Sequence, residues 1–162
     1  MALTTEQIIT LAADIQTHPE LEPFYLGAAN DNVAIRDYYN APDPTLANCW
    51  LTSFSLAQAL AVTNWTEFIG RSQGERDAFR MMFMVGPVKP ADPNIRGGFT
   101  DIFSGPSGAI TRAALATAAK RKMTRAERLL AADTGQSTFT LSFEGSVTSV
   151  EASAAMALIP GA

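Results

Sequence analysis

Histidine and cysteine each occur once in the 162 residues, as His18 and Cys49. A single cysteine excludes an intramolecular disulfide. One histidine and one cysteine cannot furnish a zinc site of the usual ligand types. His18 sits just before Pro19, where it reads as a surface residue near a helix C-terminus rather than a catalytic base. Cys49, next to Trp50, reads as a small buried hydrophobe. Charged residues are also scarce, at 17% against about 25% in an average soluble domain. Such a surface is either ordinary or partly covered by partners. No apolar run approaches the roughly 20 residues of a membrane span. The opening MALTTEQIITLAADIQ has neither a basic flank nor an uninterrupted apolar stretch, so it does not read as a signal peptide. These features fit assembly in a reducing cytoplasm, away from membranes.

Nucleotide and metal motifs are missing too. There is no Walker lysine motif and no GxGxxG. Asp31, Asp37 and Asp43 recur every six residues without forming an Asp-x-Asp-x-Asp-Gly calcium loop. The pairs Glu75/Asp77 and Asp92/Asp101 carry no spacing that acid–base work requires, and read as helix-capping or solvated groups. The expectation is a protein that is not an enzyme, with no catalytic, cofactor-binding or metal-binding residues.

What the chain does have is apolar surface, 47% of residues, and enough length to bury roughly 70% of its unfolded area. The predicted fold is mainly α: a helical bundle-like single domain over 1–162, with one or two short β-strands near 50–56 and 137–143 and extended loops. The first helix is marked by a Thr4/Gln7 capping box, a Leu3/Ile8 staple and the apolar series Ile8, Leu11, Ala12, Ile15. A second is expected near Asp31–Tyr39, capped by Asp31 or Asn32 and closed by the rigid loop 40–44. Residues 47–63 read as an extended start followed by helix. Asn64/Glu67 and Ser72/Glu75 open a broken helix over about 65–84. The Pro/Gly-rich stretch 85–94 is expected to be a flexible loop, followed by a short amphipathic stretch at 95–103. Ser107 is placed as the cap of a helix from Ala109 to Lys122, re-initiated by Thr124/Glu127. Ser137–Phe143 alternates as a half-buried strand. A short Ala-rich helix follows at Ser149–Ile159. A lone strand needs a partner, either the 50–56 segment or a neighbouring subunit, so 137–162 is a candidate for docking on a neighbour.

Charge is unevenly distributed. Residues 1–66 hold seven acids and one base, net −6, while 67–162 hold eleven bases and nine acids, net +2. Six bases fall within 17 residues against one acid: Arg112, Lys120, Arg121, Lys122, Arg125 and Arg128. On a continuous helix Arg121, Arg125 and Arg128 share a side. That basic helix, 112–128, can meet nucleic-acid phosphates, present a solvated face, or contact the acidic half of a neighbouring copy.

Three segments, WTEFIGRSQGERDAFRMMF (65–83), NIRGGFTDIFSGPSGAITRAALATAAKRKMTRAERLLA (94–131) and FTLSFEGSVTSVEA (139–152), together resemble a family of tailed-bacteriophage virion structural proteins. The resemblance implies a virion component assembled in the host bacterial cytoplasm, and specifically a head–tail adaptor (connector). Such a protein would form a ring beneath the portal, commonly of twelve copies, and extend the DNA channel. Its partners would be the portal protein and a tail or neck protein, with non-specific contact to packaged DNA. The six basic residues would then line the DNA channel or a subunit contact. The alternatives are another virion role, such as capsid decoration or tail terminator, and a small DNA-binding accessory protein using the basic helix 112–128.

Overall fold

The computed structural model describes residues 2–26, 30–45, 47–132 and 137–161. The elements run α1 (Thr5–Ile15), α2 (Glu22–Tyr25), α3 (Asn32–Asn40), β1 (Asn48–Trp50), α4 (Leu56–Val62), α5 (Trp65–Ile69), α6 (Gln73–Met82), α7 (Pro93–Ile102), α8 (Ala109–Ala118), β2 (Lys120–Lys122), α9 (Arg125–Leu129), β3 (Thr138–Phe139) and α10 (Ser149–Met156). The fold is mainly α, and the strands form one small sheet in the order β2-β1-β3. Among the described residues no helix is long and apolar enough to cross a membrane. The chain divides into two compact units. One is discontinuous (Met1–Asn48 with Lys122–Ala162) and the other continuous (Cys49–Arg121).

In the discontinuous unit the sequence starts α1 where expected. The Thr4 hydroxyl accepts from the Gln7 N–H at 3.3 Å, and the Gln7 side chain accepts from the Thr4 N–H at 2.9 Å. A cap of this kind is worth about 1 kcal/mol. Leu11, Ala12 and Ile15 then face inward, against Ile35 and Tyr39 of α3 and Ala152, Ala155 and Met156 of α10. Asp31 caps α3 by accepting from Val33 and Ala34. Two more boxes start α9 (Thr124/Glu127) and α10 (Thr148/Glu151).

In the continuous unit the core is aromatic. Phe79 of α6 is fully buried, with Phe68, Phe83, Phe99 and Phe103 around it at centroid distances of 5.5–6.3 Å. Most of these pairs meet edge to face, the arrangement that aligns ring edges with neighbouring faces.

The two expected strands are present with shorter bounds, and other expectations need correction. The strand near 50–56 is β1 at 48–50 plus an isolated bridge, Phe54 to Val88. The strand near 137–143 shrinks to Thr138–Phe139 plus a bridge from Leu141 to Ala131. The partner of β3 is β1 of the same chain. Within the segment that follows β3, Phe143, Val147, Ala152, Met156 and Ile159 belong to their own unit's core. The loop 85–94 ends early: Asp92 accepts from the Asn94 N–H at 2.8 Å and starts α7 at Pro93, where proline's missing N–H costs nothing. Phe54 and Val88 exchange two backbone hydrogen bonds (2.8 and 3.0 Å), and Arg96 donates to Pro90 and Ala91, so this loop is tied down. The continuous basic helix over 112–128 does not form. Helix α8 stops at Ala118, residues 120–122 are extended in β2, and Thr124 restarts a separate helix. The reason is tertiary: this segment supplies backbone partners to the chain around β1, with Leu51 donating to Ala119 and Met123 donating to Ala47.

Candidate functional site

Breaking the basic helix scatters its six charges. Arg125 and Arg128 line a groove of about 370 Å³ in the discontinuous unit, with Asp14, His18, Tyr38, Tyr39 and Asp43. Arg125 lies over the Tyr38 ring, its Cζ 4.0 Å from the centroid, and donates to the Tyr38 carbonyl at 3.1 Å. It thereby holds the C-terminal turn of α3, where a cation is favoured. Its Nε is buried without a hydrogen-bond partner. Arg128 donates to Asp43 at 3.3 Å and to the Thr45 hydroxyl, and Asp43 also accepts from the Thr45 backbone at 2.8 Å. The Asp43 side chain is only 5% exposed, so this contact fixes the 42–45 loop onto α9.

The remaining polar groups of the groove are likewise occupied. The Tyr39 hydroxyl donates to Asp14 at 2.6 Å. Burial first, and that bond second, push the Tyr39 hydroxyl far above the ordinary tyrosine range, so it remains a donor. Tyr38 donates to Glu20 at 3.0 Å. Burial and that acceptor raise Tyr38 as well. Bonds from Glu20's own backbone N–H and from Tyr38 hold the Glu20 carboxyl below its usual range. His18 Nδ1 sits 2.9 Å from the Asp14 carbonyl and 3.6 Å from its carboxylate, with the ring edge-on to Tyr38. The groove is thus a network of clamps joining α1, α3, α9 and the 42–45 loop.

Arg112 and Lys120 lie in the continuous unit, at a second site that the sequence did not disclose. Trp50 lies under two cations, with Arg96 Cζ 4.5 Å and Lys120 Nζ 4.6 Å from its ring centroid. Trp50, Arg96 and Arg112 line a slot of about 180 Å³ whose other walls include Phe99, Thr100, Ala116 and Ala119. Arg112 reaches back to the carbonyls of Phe103 (2.5 Å) and Gly105 (3.4 Å), at the end of α7. Arg121 and Lys122 belong to β2. The Arg121 carbonyl accepts from the buried Cys49 thiol at 3.7 Å, and Lys122 is exposed.

Compared with known protein families, with curated proteins and with solved structures, this chain matches none. Its chemistry is therefore argued from its own residues. Among the described residues no group of three or more His, Cys, Asp or Glu is placed to hold a metal ion. Two features open to solvent are the cation-flanked slot around Trp50 and the apolar end of α6. There Met81, Met84 and Val85 are 65%, 76% and 100% exposed.

Proposed function

We propose that this protein is a structural subunit of a tailed-phage virion, and specifically a head–tail adaptor that assembles as a ring beneath the portal and extends the DNA channel. The observation that carries the reading furthest is the bare end of α6. Met81, Met84 and Val85, three exposed apolar side chains within five residues at the end of α6, are more apolar surface than a solitary surface residue explains, and methionine suits a surface that packs against another protein. Charge supports the same reading. The continuous unit holds eight bases and five acids, net +3, and the discontinuous unit four bases and eleven acids, net −7. Opposite charge on two parts of one subunit favours head-to-tail contacts, which close into rings. The family resemblance of segments 65–83, 94–131 and 139–152 supplies the virion setting.

A DNA-binding accessory role through residues 112–128 is less well supported. Helix α8 ends at Ala118 and α9 restarts at Arg125, so residues 112–128 present no single basic helix face, and Arg125 and Arg128 spend N–H groups on Tyr38 and Asp43 of their own chain. Capsid decoration and tail termination share the exposed α6 end and differ in symmetry. Electron microscopy of the particles in which the protein occurs tests these readings. The adaptor reading expects a ring, of twelve copies, between portal and tail. Copies spread over a shell, or a sixfold ring at the tail, would replace it with decoration or termination.

A further inference from the structure

We propose that the slot around Trp50 is a binding site for a phosphate monoester; the proposal is independent of the virion role. Arg96, Arg112 and Lys120 gather around Trp50: Arg96 and Lys120 each lie over its ring, and Arg96 and Arg112 line the slot beside it. Among the described residues none of the three has a carboxylate within 4.0 Å, whereas Arg71 and Arg80 of the same unit are paired with Glu75 (3.8 Å) and Asp77 (3.4 Å). The nearest acid along α7, Asp92, turns its carboxylate to the Asn94 N–H instead. Three like charges brought together without a counter-ion repel one another, and a bound anion relieves that repulsion.

The hydrogen-bonding groups point the same way. Both guanidiniums are anchored through Nη1: Arg96 on the Pro90 and Ala91 carbonyls, Arg112 on Phe103 and Gly105. Their Nε and Nη2 donors have no acceptor among the described residues, and they are not among the side-chain atoms buried without partners. Trp50 Nε1 is in the same position. A planar fork held on one edge and open on the other loses little freedom when it grips an anion. A carboxylate offers two oxygens and one charge. A phosphate monoester at neutral pH offers three strong acceptor oxygens and close to two charges, which matches three cations and an extra indole donor. The apolar walls, Phe99 and Ala116 among them, leave room for the ester's organic group.

The test uses the full chain carrying Trp65→Phe, which leaves Trp50 as the sole tryptophan and alters a half-exposed side chain. Glycerol 3-phosphate is titrated at pH 7.5, with Trp50 fluorescence and calorimetry as readouts and acetate as the comparison. Saturable binding of glycerol 3-phosphate is expected, with acetate at least about tenfold weaker. Lys120→Gln, which removes the ammonium over the Trp50 ring, is expected to weaken binding by about tenfold with unchanged circular dichroism. Arg112→Lys checks the guanidinium fork with the charge retained. No saturable change, equal binding of acetate, or an unaffected Lys120→Gln variant would overturn the proposal. Two single-stranded oligonucleotides, one 5′-phosphorylated and one 5′-hydroxyl, separate the sources of the phosphate. Tighter binding of the first points to a polynucleotide end. Weak binding of both beside firm binding of glycerol 3-phosphate points to a free ester. Equal binding of both that exceeds glycerol 3-phosphate and falls steeply with salt means backbone diesters are read instead, which sinks the monoester proposal.

Discussion

Glu67 of α5 accepts the backbone N–H of Thr111 at 2.7 Å, across 44 residues of sequence, and that of Ile110 at 3.1 Å. One carboxylate therefore caps the start of α8, whose flanking residue Gly108 has no side chain to do so. A negative group at this position also complements the helix dipole. Burial works against ionisation of Glu67, but the bonds from Thr111 and Ile110, helped by Arg71, outweigh it and hold the carboxyl below its usual range. Glu67→Ala is expected to lower the thermal midpoint and to speed hydrogen exchange at Ile110 and Thr111 more than elsewhere in α8. Uniform change along α8, or none, would show that the cap lies elsewhere.

Gly108 is held in place by space rather than by backbone angle. A Cβ there would sit 2.4 Å from the Phe103 carbonyl oxygen and 2.6 Å from its carbon, both backbone atoms that cannot swing aside. Gly108→Ala is expected to cost about 3 kcal/mol. Gly74, inside α6, has nothing within 4 Å of the same position, so Gly74→Ala is expected to be neutral or to stabilise by up to about 1 kcal/mol. Urea titration of the pair measures both, and equal effects would contradict the crowding at Phe103.

Stability at low pH is expected to depend on Glu151. Its carboxylate accepts from the Leu3 N–H at 2.6 Å and from the Thr148 N–H and hydroxyl at 2.8 Å. Burial opposes the charge, yet these bonds win and the folded carboxyl lies below its usual range. A depressed folded value means that the stabilisation is complete above the unfolded value, about 4.3, and is lost as pH falls through the folded value. Glu151→Gln should therefore be less stable at pH 7 by about 1–3 kcal/mol and show a shallower loss between pH 5 and acid. An unchanged acid limb would assign that loss to other carboxylates.

Local signals were the legible part of the sequence. Thr4/Gln7, Ser72/Glu75 and Thr124/Glu127 all form the boxes their spacing announces, because both partners lie within one helical turn. Asn64/Glu67 announces the same box, and only half of it forms: Asn64 caps α5, while Glu67 turns to α8. That choice is tertiary and leaves no trace in spacing. The run Lys120–Lys122 resembles the middle of a helix and becomes a strand because β1 needs a hydrogen-bonding partner. Arg125 and Arg128 were visible as a pair, but their acceptors, Tyr38 and Asp43, lie 87 and 85 residues away. Arg96 and Trp50 carried no mark of each other, since a cation over a ring has no sequence period.

The interrupted course of the chain has a consequence for synthesis. Residues 49–121 form a contiguous unit with its own core around Phe79. The apolar stripe of α1, Leu11 and Ile15, waits for Ala152, Met156 and Ile159, which are translated about 140 residues later. At about 5–20 residues per second that stripe stays uncovered for several seconds or longer. Helix α1 thus keeps part of its core face unmatched until α10 is made, and that stripe has to be shielded from aggregation on the nascent chain.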